Sequence, residues 1–308
     1  MLAFVFPGQG SQSVGMLGDF ADEAIVRQCF DEAGQAISLD LWALAQQGPD
    51  SALNETANTQ PALLAADVAL WRLWRARGGA APALLAGHSL GEFAALVAAD
   101  VLDLADATRL VRVRGQAMQA AVPAGTGAMV AVLNADPTVI DEVCAEVAGD
   151  EVVSAANLNA PGQIVIAGHA SAVERAKLAL QERGVRRVLP LPVSVPSHCA
   201  LMAPAAAALQ QALSETRLRA PQIPVLHNVD AQARIEPTAI ATALVEQLCQ
   251  PVRWTDTMAA LRGAGIDRLV ECGPGKVLAG LARRGAEGVE AYALTSANEF
   301  ASTLEALT

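Results

Sequence analysis

Residues 82–98 read PALLAGHSLGEFAALVA, the pattern of a short buried strand, a sharp turn and a helix. The apolar run before Gly87 predicts the strand, and the small and apolar residues after Leu90 predict the helix. Gly87 and Gly91 remove side chains that would collide in so sharp a turn, which would expose the hydroxyl of Ser89 beside the amides of a helix N-terminus. We therefore predict that Ser89 is a nucleophile, although Gly-x-Ser-x-Gly also occurs by chance in glycine-rich loops.

Composition restricts the class of protein. With 308 residues, 53% of them hydrophobic and 17% charged, the chain predicts a compact globular protein. A net charge of −11 argues against a nucleic-acid partner, which requires a concentrated basic surface. Residues 1–7 lack the basic start of a signal peptide, and charged residues interrupt each alanine-rich run before it could span a bilayer. We therefore expect a cytoplasmic protein with no membrane partner.

Neither a metal nor a cofactor is indicated. The five cysteines show no Cys-x-x-Cys spacing, so we expect no disulfide framework and no metal site. The glycine motifs at residues 8–10 and 273–276 lack the remaining residues of a dinucleotide or P-loop fingerprint. The chemistry would therefore depend on the protein's own side chains.

Alternating strands and helices predict an α/β fold, in which a large α/β-hydrolase-like domain with a parallel sheet carries a small inserted domain. Residues 125–191 follow the order strand, helix, strand, strand, helix, strand, which is the order of a ferredoxin-like fold. We predict a large catalytic domain over residues 1–123 and 192–308, and a ferredoxin-like domain over 124–191. Pro61 is placed to begin a helix, because proline is favoured in a first helical turn.

A nucleophilic serine needs a base, and histidine is the usual one near neutral pH. The candidates are His88, His169, His198 and His227. We favour His198, because it ends a proline-stiffened segment, residues 191–198, that returns the chain from the small domain to the large one. For the other three we expect structural roles. No acid lies between Glu182 and Glu215, so His198 is oriented either by an acid from elsewhere in the fold or by a backbone carbonyl.

An arginine lies on the apolar face of a predicted helix that follows Asp103. Arg114 has apolar residues three and four positions away, whereas Arg109 and Arg112 fall on a polar face where we expect solvated charges. A guanidinium in apolar surroundings needs a carboxylate or a phosphate. The partner of Arg114 is either a protein acid in a structural salt bridge or a free acid on a substrate acyl group, and these residues leave both open.

A set of motifs resembles one family, the malonyl-CoA:acyl carrier protein transacylases of bacterial fatty acid synthesis. The motifs occur in the family's order, so the resemblance covers essentially the whole sequence. They are Phe6-Pro7-Gly8-Gln9-Gly10-Ser11-Gln12, Thr59-Gln60-Pro61-Ala62, Gly87-His88-Ser89-Leu90-Gly91-Glu92, Asn159-Ala160-Pro161-Gly162-Gln163, Val195-Pro196-Ser197-His198 and Gly273-Pro274-Gly275-Lys276.

The resemblance implies a ping-pong transfer through Ser89. Malonyl-CoA would acylate Ser89 with His198 as the general base, and the phosphopantetheine thiol of holo acyl carrier protein would then take the malonyl group. The main-chain carbonyl of Gln247 would orient His198, which accounts for the missing local acid. The implied partners are malonyl-CoA and holo acyl carrier protein, and the implied process is fatty acid biosynthesis.

The resemblance also implies which groups hold the substrate. The backbone amides of Gln9 and Leu90 would form the oxyanion hole, and Arg114 would pair with the malonyl carboxylate. Three other functions compete with this one: a transacylase of the same fold serving polyketide synthesis or malonate decarboxylation, a thioester hydrolase, and an inactive subunit that only binds acyl carrier protein. Ser197 immediately before His198 resembles the fatty acid enzyme more closely.

Overall fold

The structure, a computed structural model, describes residues 1–192 and 195–308. Val193 and Ser194, which belong to the segment predicted to carry His198, lie outside the described residues. The strands are β1 (Leu2–Phe6), β2 (Leu84–Gly87), β3 (Gly127–Leu133), β4 (Val153–Ala160), β5 (Gln163–His169), β6 (Arg187–Pro190), β7 (Val225–Leu226), β8 (Arg268–Glu271) and β9 (Glu290–Ala293).

Helices separate most of these strands. They are α1 (Ala24–Ile37), α2 (Leu41–Gln47), α3 (Asp50–Leu53), α4 (Thr56–Ala76), α5 (Gly91–Ala98), α6 (Leu104–Ala121), α7 (Pro137–Ala148), α8 (Ala170–Glu182), α9 (Ala203–Ser214), α10 (Pro237–Glu246), α11 (Trp254–Gly263), α12 (Val277–Gly285) and α13 (Ala297–Leu307). In the described part of the chain no helix is long and apolar enough to cross a membrane.

A five-stranded parallel sheet has the order β7-β2-β1-β8-β9. Side chains that alternate along β1 face opposite layers of helices. Phe4 lies on one face, with its ring centroid 5.4 Å from that of Trp71 on α4, and Val5 packs with α11 and α12 on the other. Every residue of β1 is buried, as expected for a central strand covered on both faces. The predicted α/β fold with a parallel sheet is confirmed.

A separate antiparallel sheet has the order β4-β5-β3-β6. It is built from consecutive elements in the order β3, α7, β4, β5, α8, β6, which is the predicted order. Its apolar side chains, among them Val132 and Ile166, are buried against α7 and α8. This sheet therefore has a hydrophobic cluster of its own.

The middle of β4 contacts a segment outside the small sheet. The register of β4 against β5 shifts between Ala155 and Asn157. Beyond this irregularity the Leu158 amide donates to the Val252 carbonyl at 2.9 Å, and the Val252 amide donates to the Ala156 carbonyl at 2.9 Å. β4 thereby pairs with the segment that precedes α11, and Asn157 at this point lines the same cavity as Ser89, which follows β2.

The prediction that a helix begins at Pro61 was wrong. α4 begins at Thr56, and Pro61 lies inside it. Proline has no N–H, so the carbonyl of Ala57, four residues earlier, loses its helical donor. Arg112 on α6 supplies the missing donor, with Nη1 at 2.8 Å from that oxygen and 2.5 Å from Oδ1 of Asn58. The prediction that Arg112 is a solvated charge was therefore also wrong, because it links α6 to α4.

Candidate active site

The structure contains the predicted turn around Ser89. β2 ends at Gly87 and α5 begins at Gly91, and Ser89 between them has a φ of 54°, in the left-handed region. A Cβ on Gly87 would lie 2.0 Å from the carbonyl carbon of Gly91, and a Cβ on Gly91 would lie 2.0 Å from the carbonyl oxygen of Phe6. Only glycine fits at these two positions, so the chain turns sharply at the carboxyl ends of β1 and β2.

Ser89 lies next to His198. The Oγ of Ser89 is 2.7 Å from Nε2 of His198, and Nδ1 of the same ring is 2.7 Å from the carbonyl oxygen of Gln247. A carbonyl oxygen only accepts, so Nδ1 carries the ring proton and Nε2 presents its lone pair to the hydroxyl. Of the two orienting groups left open by the sequence, the structure has the backbone carbonyl at this position.

His198 is uncharged at neutral pH. Burial, and then the positive charge of Arg114, lower the pKa of His198 to about 3, while the hydrogen bond to Gln247 acts in the opposite direction. His198 also has a φ of 61°, a conformation that costs about 1–3 kcal/mol and persists where its surroundings hold it. The ring is therefore held in place and neutral, with Nε2 free to accept a proton.

Arg114 is buried beside the same serine, with 1% of its surface exposed. Its Nη1 donates to Oε1 of Gln60 at 2.8 Å, and its Nη2 donates to Oε1 of Gln247 at 2.9 Å and to Oγ of Ser89 at 3.2 Å. The ion pairs of the described residues do not include Arg114. Burial lowers the pKa of Arg114 to about 10, which leaves it cationic at neutral pH. The alternative of a structural salt bridge is thus not found.

The loop after β1 lies against the turn of Ser89. A Cβ on Gly8 would lie 2.4 Å from the carbonyl oxygen of His88 and 3.7 Å from the amide nitrogen of Leu90. The side chain of Gln9 donates to Oγ1 of Thr56 at 3.2 Å, which ties this loop to α4. The close approach of Gly8 thus places Gln9 and Leu90 beside each other.

One cavity of about 120 Å³ brings the predicted site residues together. Its lining combines the large sheet's loops with Met129 and Asn157 from the antiparallel sheet. The predicted site residues in the lining are Gln9, Ser89, Leu90, Arg114 and His198, and Gln247 is bonded to three of them. A larger groove of about 430 Å³ lies between α9 and α10, and its lining contains no histidine, cysteine or arginine.

Comparisons with known proteins identify the family of the chain. The family of the acyl transferase domain matches residues 3–298. The malonyl CoA-acyl carrier protein transacylase of Escherichia coli strain K12 is 54% identical over 304 residues, which cover 98% of each chain. The chain belongs to the malonyl-CoA:acyl carrier protein transacylase family. The resemblance predicted from the motifs is thereby confirmed.

Solved structures of the transacylase family have the same fold. A malonyl-CoA:acyl carrier protein transacylase from Xanthomonas oryzae pv. oryzae superimposes with a TM-score of 0.98 at 56% identity, covering 100% of this chain and 98% of its own. A malonyl-transacylase in complex with a type II PKS acyl carrier protein superimposes with a TM-score of 0.97 at 51% identity, and 99% of each chain is covered.

In this member of the transacylase family, the three histidines other than His198 bond to groups other than Ser89. His88 has Nε2 at 2.9 Å from Oδ1 of Asn159, so its ring points away from Ser89. His227 has Nδ1 at 2.7 Å from Oε1 of Glu92, and Nδ1 of His169 accepts the amide of Val152 at 2.9 Å. These contacts agree with the structural roles expected from the sequence.

Sequence reasoning gave no role to several buried polar residues of the site, among them Gln60, which contacts Arg114, and Asn157, which lines the cavity. Glu92, in the first turn of α5, and Asn228, just after β7, have 0% and 1% of their surfaces exposed. A lone carboxylate in an otherwise apolar helix was a usable signal for Glu92. Asn228 gave no signal, because a single asparagine after a two-residue strand resembles any turn residue.

Proposed function

We propose that the protein transfers the malonyl group of malonyl-CoA to the phosphopantetheine thiol of acyl carrier protein, supplying fatty acid biosynthesis. One observation carries the proposal: Oγ of Ser89 lies 2.7 Å from the base His198 and 3.2 Å from Arg114, a buried cation that bonds only amide and hydroxyl oxygens among the described residues and has no bond to its Nε. The E. coli relative and the Xanthomonas structure carry the name of this activity.

In the first half-reaction Ser89 is acylated. Its Oγ attacks the thioester carbon of malonyl-CoA while Nε2 of His198 takes the hydroxyl proton. The amides of Gln9 and Leu90 donate to the oxyanion, and each such donor is worth about 2.7–4 kcal/mol of transition-state stabilisation. The tetrahedral intermediate collapses, the carbon–sulfur bond breaks, and His198 returns the proton to the departing thiolate of CoA.

The second half-reaction reverses these steps with a different thiol. His198 takes the proton of the phosphopantetheine thiol of holo acyl carrier protein, the sulfur attacks the malonyl ester, and the carbon–oxygen bond to Ser89 breaks. His198 then protonates Oγ of Ser89, which restores the starting state. Throughout, Arg114 holds the malonyl carboxylate, so the acyl carbon stays close to Ser89.

The finer fold assignments belong to the same proposal. We assign residues 1–123 and 192–308 to an α/β-hydrolase-like catalytic domain, supported by the parallel sheet and the turn at Ser89. We assign residues 124–191 to a ferredoxin-like domain, supported by the antiparallel order β4-β5-β3-β6. The five free cysteines support a reducing compartment such as the cytoplasm.

The function is tested by incubating the protein with malonyl-CoA and holo acyl carrier protein. We expect a malonyl adduct on Ser89 by intact-protein mass spectrometry, and malonyl-loaded carrier protein as the product. Ser89→Ala should form no adduct. A wild-type protein that forms no adduct would leave only a carrier-binding subunit, and one that releases free malonate faster than it loads the carrier would be a hydrolase.

The choice of carrier separates two transacylases. A relative with 51% identity is named in complex with a type II PKS acyl carrier protein, which favours polyketide synthesis as the second candidate. Transfer to a fatty acid carrier and to a type II polyketide carrier should be compared at equal concentrations. Faster transfer to the fatty acid carrier supports the proposal, and a clear preference for the polyketide carrier contradicts it.

A further inference from the structure

We propose that Asn228 is a positioning residue for the nucleophile, whose carboxamide fixes the backbone on both sides of Ser89. Its Oδ1 accepts the amide of Ser89 at 2.7 Å, and its Nδ2 donates to the carbonyl of Gly87 at 2.6 Å. Asn228 touches neither the reacting hydroxyl nor the base through these bonds. It acts through the conformation of the turn, and the proposal rests on the malonyl transfer proposed above.

Asn228 is itself held by a buried carboxylate. The backbone amide of Asn228 donates to Oε2 of Glu92 at 3.0 Å, and Nε2 of Gln247 donates to the same oxygen at 2.8 Å. The other oxygen of Glu92 lies 2.7 Å from Nδ1 of His227. Glu92 lies in the first turn of the helix that follows Ser89, so the network closes on the turn that it supports.

Gln247 completes the support from the opposite side. Its Nε2 also donates to the carbonyl of Ser89 at 3.0 Å. The amide and carbonyl of Ser89 and the carbonyl of Gly87 are therefore all held by side chains from distant segments. This accounts for a left-handed serine, since a non-glycine residue keeps such a conformation only where its surroundings hold it.

Two consequences for catalysis follow. The amide of Ser89 is already donated to Asn228, so it is not available to an oxyanion, and the next amide along the chain, Leu90, takes that role. Loss of the Asn228 side chain would leave the buried carbonyl of Gly87 and the partly buried amide of Ser89 without these partners, and the turn would relax. The hydroxyl would then move relative to His198, whereas the contacts of Arg114 with Gln60 and Gln247 would remain.

The test separates turnover from binding. Asn228→Ala and wild-type protein are mixed with increasing malonyl-CoA, quenched rapidly, and the Ser89 adduct is measured by mass spectrometry. We expect the limiting acylation rate to fall by roughly 10- to 100-fold, while the half-saturating malonyl-CoA concentration changes by less than about twofold. Thr108→Val removes a buried side-chain bond to the carbonyl of Leu104 and should keep the wild-type rate.

Asn228→Asp adds a pH readout that simple destabilisation would not produce. A protonated aspartic acid can accept from Ser89 and donate to Gly87 as asparagine does, whereas a carboxylate cannot donate. The charged or titratable groups around position 228 are Glu92, His227 and Arg253, with His198 reached through Ser89 and Arg114 reached through Gln247. We expect acylation by Asn228→Asp to approach the wild-type rate as pH falls from about 8 to about 5, or to stay near it throughout if the acid remains protonated.

The outcomes are distinct. Asn228→Ala acylating at the wild-type rate would overturn the proposal, and so would Asn228→Asp matching the slow alanine variant at every pH. If Asn228→Ala does not fold, the aspartate variant decides alone. Failure of the wild-type protein itself to form the malonyl adduct would instead overturn the proposed function, so the two failures can be told apart.

Discussion

The charge of Arg114 and the basicity of His198 are coupled through their shared contact, Ser89. Both side chains lie within 3.2 Å of its hydroxyl oxygen. A guanidinium at this place lowers the pKa of the imidazole and disfavours its protonated form. A substrate carboxylate against Arg114 offsets that charge, so we expect His198 to become a stronger base once a carboxylated acyl group is bound.

The activity of the free enzyme should therefore not fall near neutral pH through protonation of His198. Because the pKa of His198 is about 3, the ring stays neutral far below pH 6.5, which is the usual pKa of a histidine side chain. We expect kcat/KM for malonyl loading, which reports the free enzyme, to stay level between about pH 8 and pH 5. A loss of kcat/KM with a midpoint near pH 6.5 in the wild type would contradict this assignment.

Replacement of Arg114 should slow the loading of malonyl groups onto Ser89 more than the loading of acetyl groups. In Arg114→Ala we expect malonyl loading of Ser89 to lose about 2–5 kcal/mol of transition-state stabilisation, because the carboxylate would be buried without a partner. Acetyl loading, which needs no cation, should be spared or improved. Arg109→Ala on the same helix removes an exposed arginine paired with Asp106 and serves as the control. Equal losses for the two acyl groups would refute the role of Arg114.

The sequence predicted residues whose role depends on near neighbours in the chain better than residues whose partners lie far away in the chain. Ser89 and its glycines follow from local sterics, and an apolar helix face identified Arg114 as a residue in need of a partner. Whether that partner belonged to the protein could not be read from the sequence, because Gln247 is 133 positions away and Gln60 is 54. The site roles remain predictions for the experiments above.

Helices α4 and α6 support the site as a pair. The two helices approach each other closely at Gly115 of α6, where a Cβ would lie 2.7 Å from the carbonyl oxygen of Thr56 on α4. Arg112 donates to the carbonyl of Ala57, which Pro61 cannot bond because it has no N–H. Gln60 is the residue immediately before Pro61. The bond from Arg112 therefore holds α4 close to the residue that contacts Arg114.

A double-mutant cycle tests this link. Arg112→Ala leaves the partly buried carbonyl of Ala57 without a donor, and we expect it to cost about 1–3 kcal/mol of unfolding free energy in denaturant titrations. In the Pro61→Ala background the cost should be smaller, because the substituted residue has the N–H that bonds this carbonyl in a regular helix. Equal costs in the two backgrounds would show that Arg112 does not act through the Pro61 position.

Pro61 also explains where element prediction failed. Local preference places proline at a helix start, and the sequence contains no sign that an arginine 51 positions later compensates for the missing N–H. The alternation of strands and helices, by contrast, is visible locally, and the parallel sheet and the second sheet follow it. Helix and strand types were therefore predictable, whereas boundaries that depend on long-range contacts were not.

Two buried acids lie near each other, Asp67 on α4 and Glu271 at the end of β8. Neither carboxylate oxygen of Asp67 has a partner among the described residues, and burial followed by the nearby Glu271 raises its pKa well above the usual value. Burial likewise raises the pKa of Glu271 to about 7, although its Oε2 accepts the amide of Ala279 at 2.7 Å. The folded protein therefore retains protons that the unfolded chain releases.

Stability should consequently fall as pH rises above the ordinary carboxyl range. Between the usual pKa of Asp67 and its raised folded value, the unfolded state binds fewer protons than the folded state, so each rise in pH favours unfolding. We expect Asp67→Asn to gain in Tm over the wild type as pH increases from about 5 to about 8. Asp103→Asn, which changes an exposed carboxylate with a lowered pKa, should not gain. A Tm difference between Asp67→Asn and the wild type that does not change with pH would contradict a raised pKa at Asp67.

A buried cation without an ion pair weakens the fold that contains it, and the nearby carboxylate of Glu92 offsets the charge of Arg114 only in part. Loading of Ser89 should therefore change the thermal stability of the protein as well as its reactivity. Covalently attached malonate would bring the counter-charge with it, and the loaded protein should melt above the unloaded one. The Tm of domains of 150–250 residues shifts by about 2–4 °C per kcal/mol, and that of longer chains by less, so we expect about 1–2 °C per kcal/mol for 308 residues. Loading with acetate, or mixing Ser89→Ala with malonyl-CoA at low concentration, should give little change. The acyl group would then act as a part of the interior that is supplied and removed once in every catalytic cycle.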